Sequence, residues 1–186
     1  MLKGIVAGVI LAAAIALLGA FLLVRSGFIP ANADAKPGVL EKWIAGTSLD
    51  ATLKREAPKG PNPVAMNDQN LLDGVRLFAQ NCAVCHGSAQ GAASLSPIAK
   101  GEYPKPPQFA THGVEDDPEG VSFWKIKHGI RLTGMPSWGY SLTDREIWTL
   151  ALFLKHMDKL PPAVQTSWQQ VQNWPAPATT QIAPNY

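Results

Sequence analysis

Both cysteines of this 186-residue chain lie in one short stretch, Asn81-Cys82-Ala83-Val84-Cys85-His86-Gly87, with a histidine directly behind the second. Any fold must treat these three side chains as a unit, and three readings compete for them. A zinc site needs about two more ligands at regular spacing. His112, His128 and His156 remain, and none pairs with another at a finger-like interval. A thioredoxin-like redox pair needs a βαβ setting, and no strand alternation of useful length occurs. The third reading is covalent haem attachment, for which Cys-x-x-Cys-His is the sequence signature. Near the end of a helix, residues i and i+3 face the same way, so two thiols can each add to one vinyl group of a porphyrin. The following histidine is then held beneath the ring, within reach of the iron. The motif therefore favours one covalent haem c, with Cys82 and Cys85 fastening the ring and His86 as a metal ligand.

The opposite axial ligand has to come from a later loop. Met135 is the best candidate, because it sits in Gly134-Met135-Pro136, where glycine permits close backbone approach and proline stiffens the loop. Met66 precedes the first core helix and Met157 lies at the far end of the last. His128 is the rival, at the end of its helix beside Lys127, where the helix C-terminus favours a solvated cation. His112 falls in a polar loop.

Residues 4 to 24, "GIVAGVILAAAIALLGAFLLV", contain no charge, no proline and no hydrogen-bonding side chain. At about 1.5 Å per residue they span roughly 31 Å as a helix, enough to cross a bilayer core. The apolar core of a signal peptide is shorter, about 7–15 residues, and the nearest small-x-small site, Ala31-Asn32-Ala33, lies well beyond Arg25. The run reads as an uncleaved anchor. Gly4, Gly8, Ala12, Ala16 and Ala20 recur every fourth residue, a stripe that would let another membrane helix approach closely.

Behind the anchor, 26–66 reads as a linker with a short amphipathic helix. Val39, Leu40, Trp43, Ile44, Leu49 and Leu53 have helix-like spacing. That helix would either lie at the membrane interface with Trp43 at headgroup level or pack on the soluble domain. "PKGPNP" at 58–63 marks a boundary. The first core helix begins at Asn67, a good N-cap, and Leu71, Val75, Phe78 and Cys82 share one of its faces. From 87 to 116 the chain is loop-like. Pro118 opens a helix at its first position and Gly129 closes it after His128. Thr143 and Glu146 form a capping box, with Leu142 and Ile147 placed for a hydrophobic staple. The helix they open runs from 144 to about 158, and Pro161-Pro162 ends it. The remainder, 161–186, reads as a tail containing proline, glutamine, Trp168 and Trp174, anchored to a partner or folded back on the domain. The soluble part is all-α. A domain of this size with such long loops has a thin core, and a large apolar ring would fill its middle.

With these residues in hand, the chain resembles the membrane-anchored monohaem class I cytochromes c over 67–160. Gly74, Phe78, Cys82, Cys85 and His86 fit the family's Gly-x-x-x-Phe-x-x-x-Cys-x-x-Cys-His pattern, and "FWKIKHGIRLTGMPSWG" and "LTDREIWTLALFLKHM" follow in the expected order. The resemblance implies a class I cytochrome c fold around one haem, preceded by a transmembrane helix in 1–25. It implies crossing first and last helices, with Gly74 close to an aromatic such as Trp148. It also implies His86 and Met135 as iron ligands, with His86 oriented by the carbonyl of Pro97, Pro106 or Pro107.

An iron filled on both axial faces has no open site for a substrate, and such a centre performs one-electron transfer. The expectation is an electron-transfer protein rather than an enzyme, tethered to the bacterial cytoplasmic membrane with its haem domain in the periplasm. Its partners would be redox proteins, with no nucleic acid and no small-molecule substrate; a net charge of +2 gives no reason to expect polyanions. Two alternatives stay beside the free carrier: a fixed relay subunit of an oxidase, quinol-oxidising complex or dehydrogenase, and a gas-binding haem protein. Lys125, Lys127 and Arg131, with Lys105, could form a docking patch, although 62–162 carries nine Lys/Arg against ten Asp/Glu.

Overall fold

The computed structural model of the chain describes residues 2–91 and 96–172, and the described residues form helices and loops without a strand. Trp174 and the rest of 173–186 lie outside them. The chain divides into two compact units, Met1–Lys36 and Pro37–Tyr186.

The first unit is built on α1 (Leu2–Arg25), exposed along its whole length. A helix that is apolar all round and buries nothing in protein is suited to lipid. By length and composition α1 can cross a bilayer.

The second unit begins with α2 (Val39–Glu56). The C-terminal end of this helix packs on the domain and its N-terminal half does not. Leu53 at its end and Ala57 behind it are buried against the domain, whereas Val39, Leu40, Trp43 and Ile44 stay exposed. Tyr103 donates its hydroxyl proton to Glu41 and so ties α2 to a later loop. The proline-rich stretch 58–63, expected as a boundary, is stitched into the domain. Asn62 donates to Glu119 (2.8 Å) and to the Trp148 carbonyl (3.0 Å). Pro58 comes so close to Gly120 that a Cβ there would lie 2.0 Å from its carbonyl oxygen.

The core is made by α3 (Asp68–Asn81), α7 (Glu119–His128) and α8 (Asp144–Lys155), with α3 and α7 both packed on α8. α3 starts where its sequence says, with the Asn67 side chain accepting from the Asn70 amide at 2.9 Å. Leu71, Val75 and Phe78 are buried on its inner face. Pro118 proves to be the residue before α7 rather than its first, and Gly129 closes the helix with φ of 68°. Thr143 and Glu146 make the reciprocal cap of α8, which ends at Lys155. Ile147 is fully buried, and Leu142 packs against the same core.

Three features depart from expectation. Gly74 faces Phe153 and the Thr149 carbonyl, where a Cβ would find atoms at 2.5 and 3.0 Å. Trp148 instead stacks on Phe123, with centroids 4.2 Å apart. The loop 87–116 contains α5 (Pro97–Gly101) and α6 (Phe109–His112), following the single turn α4 (Ala83–His86). Finally, Pro161-Pro162 begins a further helix, and the described part of the tail folds back on the domain, one of the two alternatives expected for it. Pro161 caps and Pro162 opens α9 (Pro162–Gln169), since proline suits a first helical turn. α9 packs on α3, and Trp168 meets Phe78 and Phe153 edge to face, each at 5.4 Å.

Candidate functional site

Cys82 is the residue that ends α3 and begins α4. The amides of Cys85 and His86 both return to the Cys82 carbonyl, at 3.1 and 2.9 Å, so the motif is wound into one turn. Gly87 stops it with φ of 79°. Such a turn carries the side chains of residues i and i+3 to one side. Cys82, Cys85 and His86 line a single cavity of about 370 Å³, and Met135 lines it too. Most of the remaining wall is apolar, with Phe78, Ile126, Ile130, Trp138, Leu150 and Leu154 among its residues.

The Met135 loop owes its position to Gly129 as much as to Gly134. A Cβ at Gly129 would stand 2.7 Å from the Met135 carbonyl oxygen and 2.6 Å from the Pro136 carbonyl carbon. The loop therefore lies on the bare backbone at the end of α7. It is pinned there by the Ile130 amide to the Met135 carbonyl (3.1 Å), the Met135 amide to Thr133 Oγ1 (3.0 Å), and Ser137 Oγ to the Lys127 carbonyl (2.7 Å). Gly134 has a different close neighbour, the Glu102 carboxyl, 2.7 Å from where its Cβ would be.

His86 is held from the other side. Its Nδ1 lies 3.0 Å from the Pro107 carbonyl oxygen. A carbonyl only accepts, so Nδ1 carries the proton and Nε2 of the neutral ring keeps a lone pair. Burial pushes the imidazole pKa down, which keeps the ring neutral. Burial likewise raises the thiols, Cys82 to about 12 and Cys85 to about 11. Both are unpaired cysteines, and the Cys85 thiol donates to Glu102 Oε1 at 3.4 Å.

Of the residues weighed against Met135, none lines this cavity: His112 and His128 are exposed, and Met66 and Met157 lie elsewhere. Of the three prolines weighed for His86, it is Pro107 that bonds it. Glu102, Gln108 and Phe109 were not singled out in the sequence. Phe109 stacks on the His86 ring at 4.3 Å with planes 10° apart, and "PPQF" at 106–109 is the signal that carries it. Nothing in the sequence marks Glu102. The cation patch is partly neutralised, because Lys125 pairs with Asp117 (2.6 Å) and Lys127 with Asp144 (2.7 Å).

The donor set fits a covalently held haem. Two unpaired thiols on one turn, a neutral imidazole and a thioether share an apolar cavity, where a flat hydrophobic ring is favoured. Residues 69–154 match a family model described as "Cytochrome C oxidase, cbb3-type, subunit III". A chain of the Kuenenia stuttgartiensis reducing HAO-like protein complex Kustc0457/Kustc0458 is similar at 20% identity, with a TM-score of 0.42, over 59% of this chain and 54% of that one. This chain thus spans about half the length of that solved chain. No curated protein matches it.

Proposed function

We propose that this chain, an all-α protein whose residues 69–154 are a cytochrome c domain with haem c as its cofactor, is a membrane-tethered one-electron carrier. In this reading Cys82 and Cys85 hold the ring through thioether bonds, and His86 and Met135 hold the iron. The observation that carries it is the meeting of these four side chains in one apolar cavity. The haem supplies a one-electron Fe(III)/Fe(II) couple, with a thioether ligand favouring a high potential.

The chain's own residues do the rest. Pro107 keeps the His86 proton on Nδ1, so that Nε2 is free to ligate. Phe109 limits rotation of the ring by stacking on it. Gly129 and Thr133 hold the Met135 loop against α7. Phe78, Ile126, Leu150 and Leu154 line the cavity with apolar surface. If His86 and Met135 both held the iron, no site would remain on it for a substrate, and the role would be transfer rather than catalysis. Segment 1–25 is the tether, 26–66 the connection and 67–160 the haem-binding segment. The haem domain lies on the periplasmic side, where partners in the respiratory chain exchange electrons with it.

An absorption spectrum with redox titration tests this, comparing native protein and Met135→His. The native ferric protein is expected to show the sulfur-to-iron charge-transfer band and a high potential, and the variant to lose both. A native protein lacking that band, or a ferrous protein that binds carbon monoxide, sinks the Met135 assignment.

A second reading has the same chemistry in a fixed relay subunit. The matched family is described as an oxidase subunit, and that description favours it. Retention of other chains through purification in mild detergent would replace the mobile carrier by the fixed subunit.

A further inference from the structure

Gln108 is buried at the residue before α6. Its Nε2 donates to the Cys85 carbonyl at 2.9 Å and to the Pro106 carbonyl at 3.1 Å. Those two carbonyls belong to the peptide units that immediately precede His86 and Pro107. His86 and Pro107 are themselves the partners of the Nδ1–H hydrogen bond. One planar amide thus bridges the two backbone strips on which that bond depends. Space is made for it at Gly87, where a Cβ would stand 2.5 Å from Gln108 Oε1. The oxygen itself has no hydrogen-bond partner. An unpartnered buried carbonyl costs stability, so the position keeps glutamine for its donors.

We propose that Gln108 is a positioning residue for His86: by clamping the Cys85 and Pro106 carbonyls it fixes the length of the His86–Pro107 hydrogen bond, and through it the electron density the imidazole offers the iron. The inference rests on His86 being an axial ligand. A hydrogen bond from the second ring nitrogen raises the basicity of a ligating histidine. A more basic imidazole stabilises the ferric over the ferrous state, so loosening the clamp raises the potential.

The test uses the full-length haem-loaded protein beside Gln108→Met, which keeps the volume and removes both donors. A second variant, Gln108→Glu, keeps the shape and sets acceptors against both carbonyls. Three quantities are read: the midpoint potential, the solvent exchange of the His86 Nδ1 proton in the ferrous protein by NMR, and the thermal midpoint. Loss of one net hydrogen bond corresponds to about a fivefold change in an equilibrium. The expected result is exchange at least about fivefold faster. The potential is expected to rise by about fivefold in the Fe(III)/Fe(II) equilibrium constant, roughly 40 mV for one electron. If Gln108→Met does not fold, Gln108→Glu and Gln108→Asn carry the same readouts. A residue that only fills space would lower the thermal midpoint and leave potential and proton exchange unchanged; that result overturns the proposal. Native ferric protein without hyperfine-shifted His86 resonances overturns the axial-ligand reading and the clamp together. Shifted resonances with variants indistinguishable from native overturn the clamp alone.

Discussion

Gly129 carries two burdens at one Cα. It adopts φ of 68°, and it lets three backbone atoms of Met135, Pro136 and Ser137 come within 2.7 Å of where a Cβ would sit. Gly129→Ala therefore combines a left-handed backbone penalty with a backbone collision, together about 2–4 kcal/mol. Denaturant unfolding of the haem-loaded variant checks the magnitude. The charge-transfer band checks the consequence for function, since the displaced loop is expected to weaken or lose it. A variant with native stability and a native band would show that the loop does not rest on Gly129. The sequence made Met135 legible through its Gly-x-Pro surroundings, and made Gly129 legible only as a helix stop. Its second duty depends on a contact with residues six and more positions onward, which local pattern cannot express. Gln108 and Glu102 were illegible for the same reason, because their partners lie some 17 to 23 residues earlier in the chain.

At the level of elements, two helix starts were legible from local sequence alone. Asn67 opens α3, and the Thr143–Glu146 box opens α8. Each rests on hydrogen bonds between residues three apart. What failed required knowing how helices rotate against each other. Trp148 and Phe153 both lie on α8, and only the crossing with α3 decides that Phe153, not Trp148, faces Gly74. The double proline at 161–162 was read as the end of one helix and is also the beginning of another, because proline tolerates a first turn as well as it forbids an interior one. α9 matters to the core out of proportion to its length: Val164 and Trp168 are buried, and Trp168 closes a three-ring cluster with Phe78 and Phe153. Trp168→Ala is expected to cost about 3–5 kcal/mol. The thermal midpoint of the haem-loaded protein measures it, and a loss below about 1 kcal/mol would mean that α9 is a dispensable appendage.

For the whole molecule, α1 exposes every described residue and is long and apolar enough to cross a bilayer. The full chain is expected in the membrane fraction, resistant to carbonate washing, and a chain lacking residues 2–25 in the soluble fraction with its haem spectrum intact. Membrane retention of the shortened chain would shift attention to the exposed Val39, Leu40, Trp43 and Ile44 of α2. The cavity has a different reach. Its two thiols, Cys85 raised to about 11 and Cys82 to about 12, are thiolate in only about one molecule in ten thousand or fewer at neutral pH, against a few per cent for an ordinary cysteine. Thiolate is the species that oxidants attack. A fold that raises both groups in this way keeps Cys82 and Cys85 almost wholly as thiols, the form that closes to a disulfide less readily, while leaving both on the wall of the cavity.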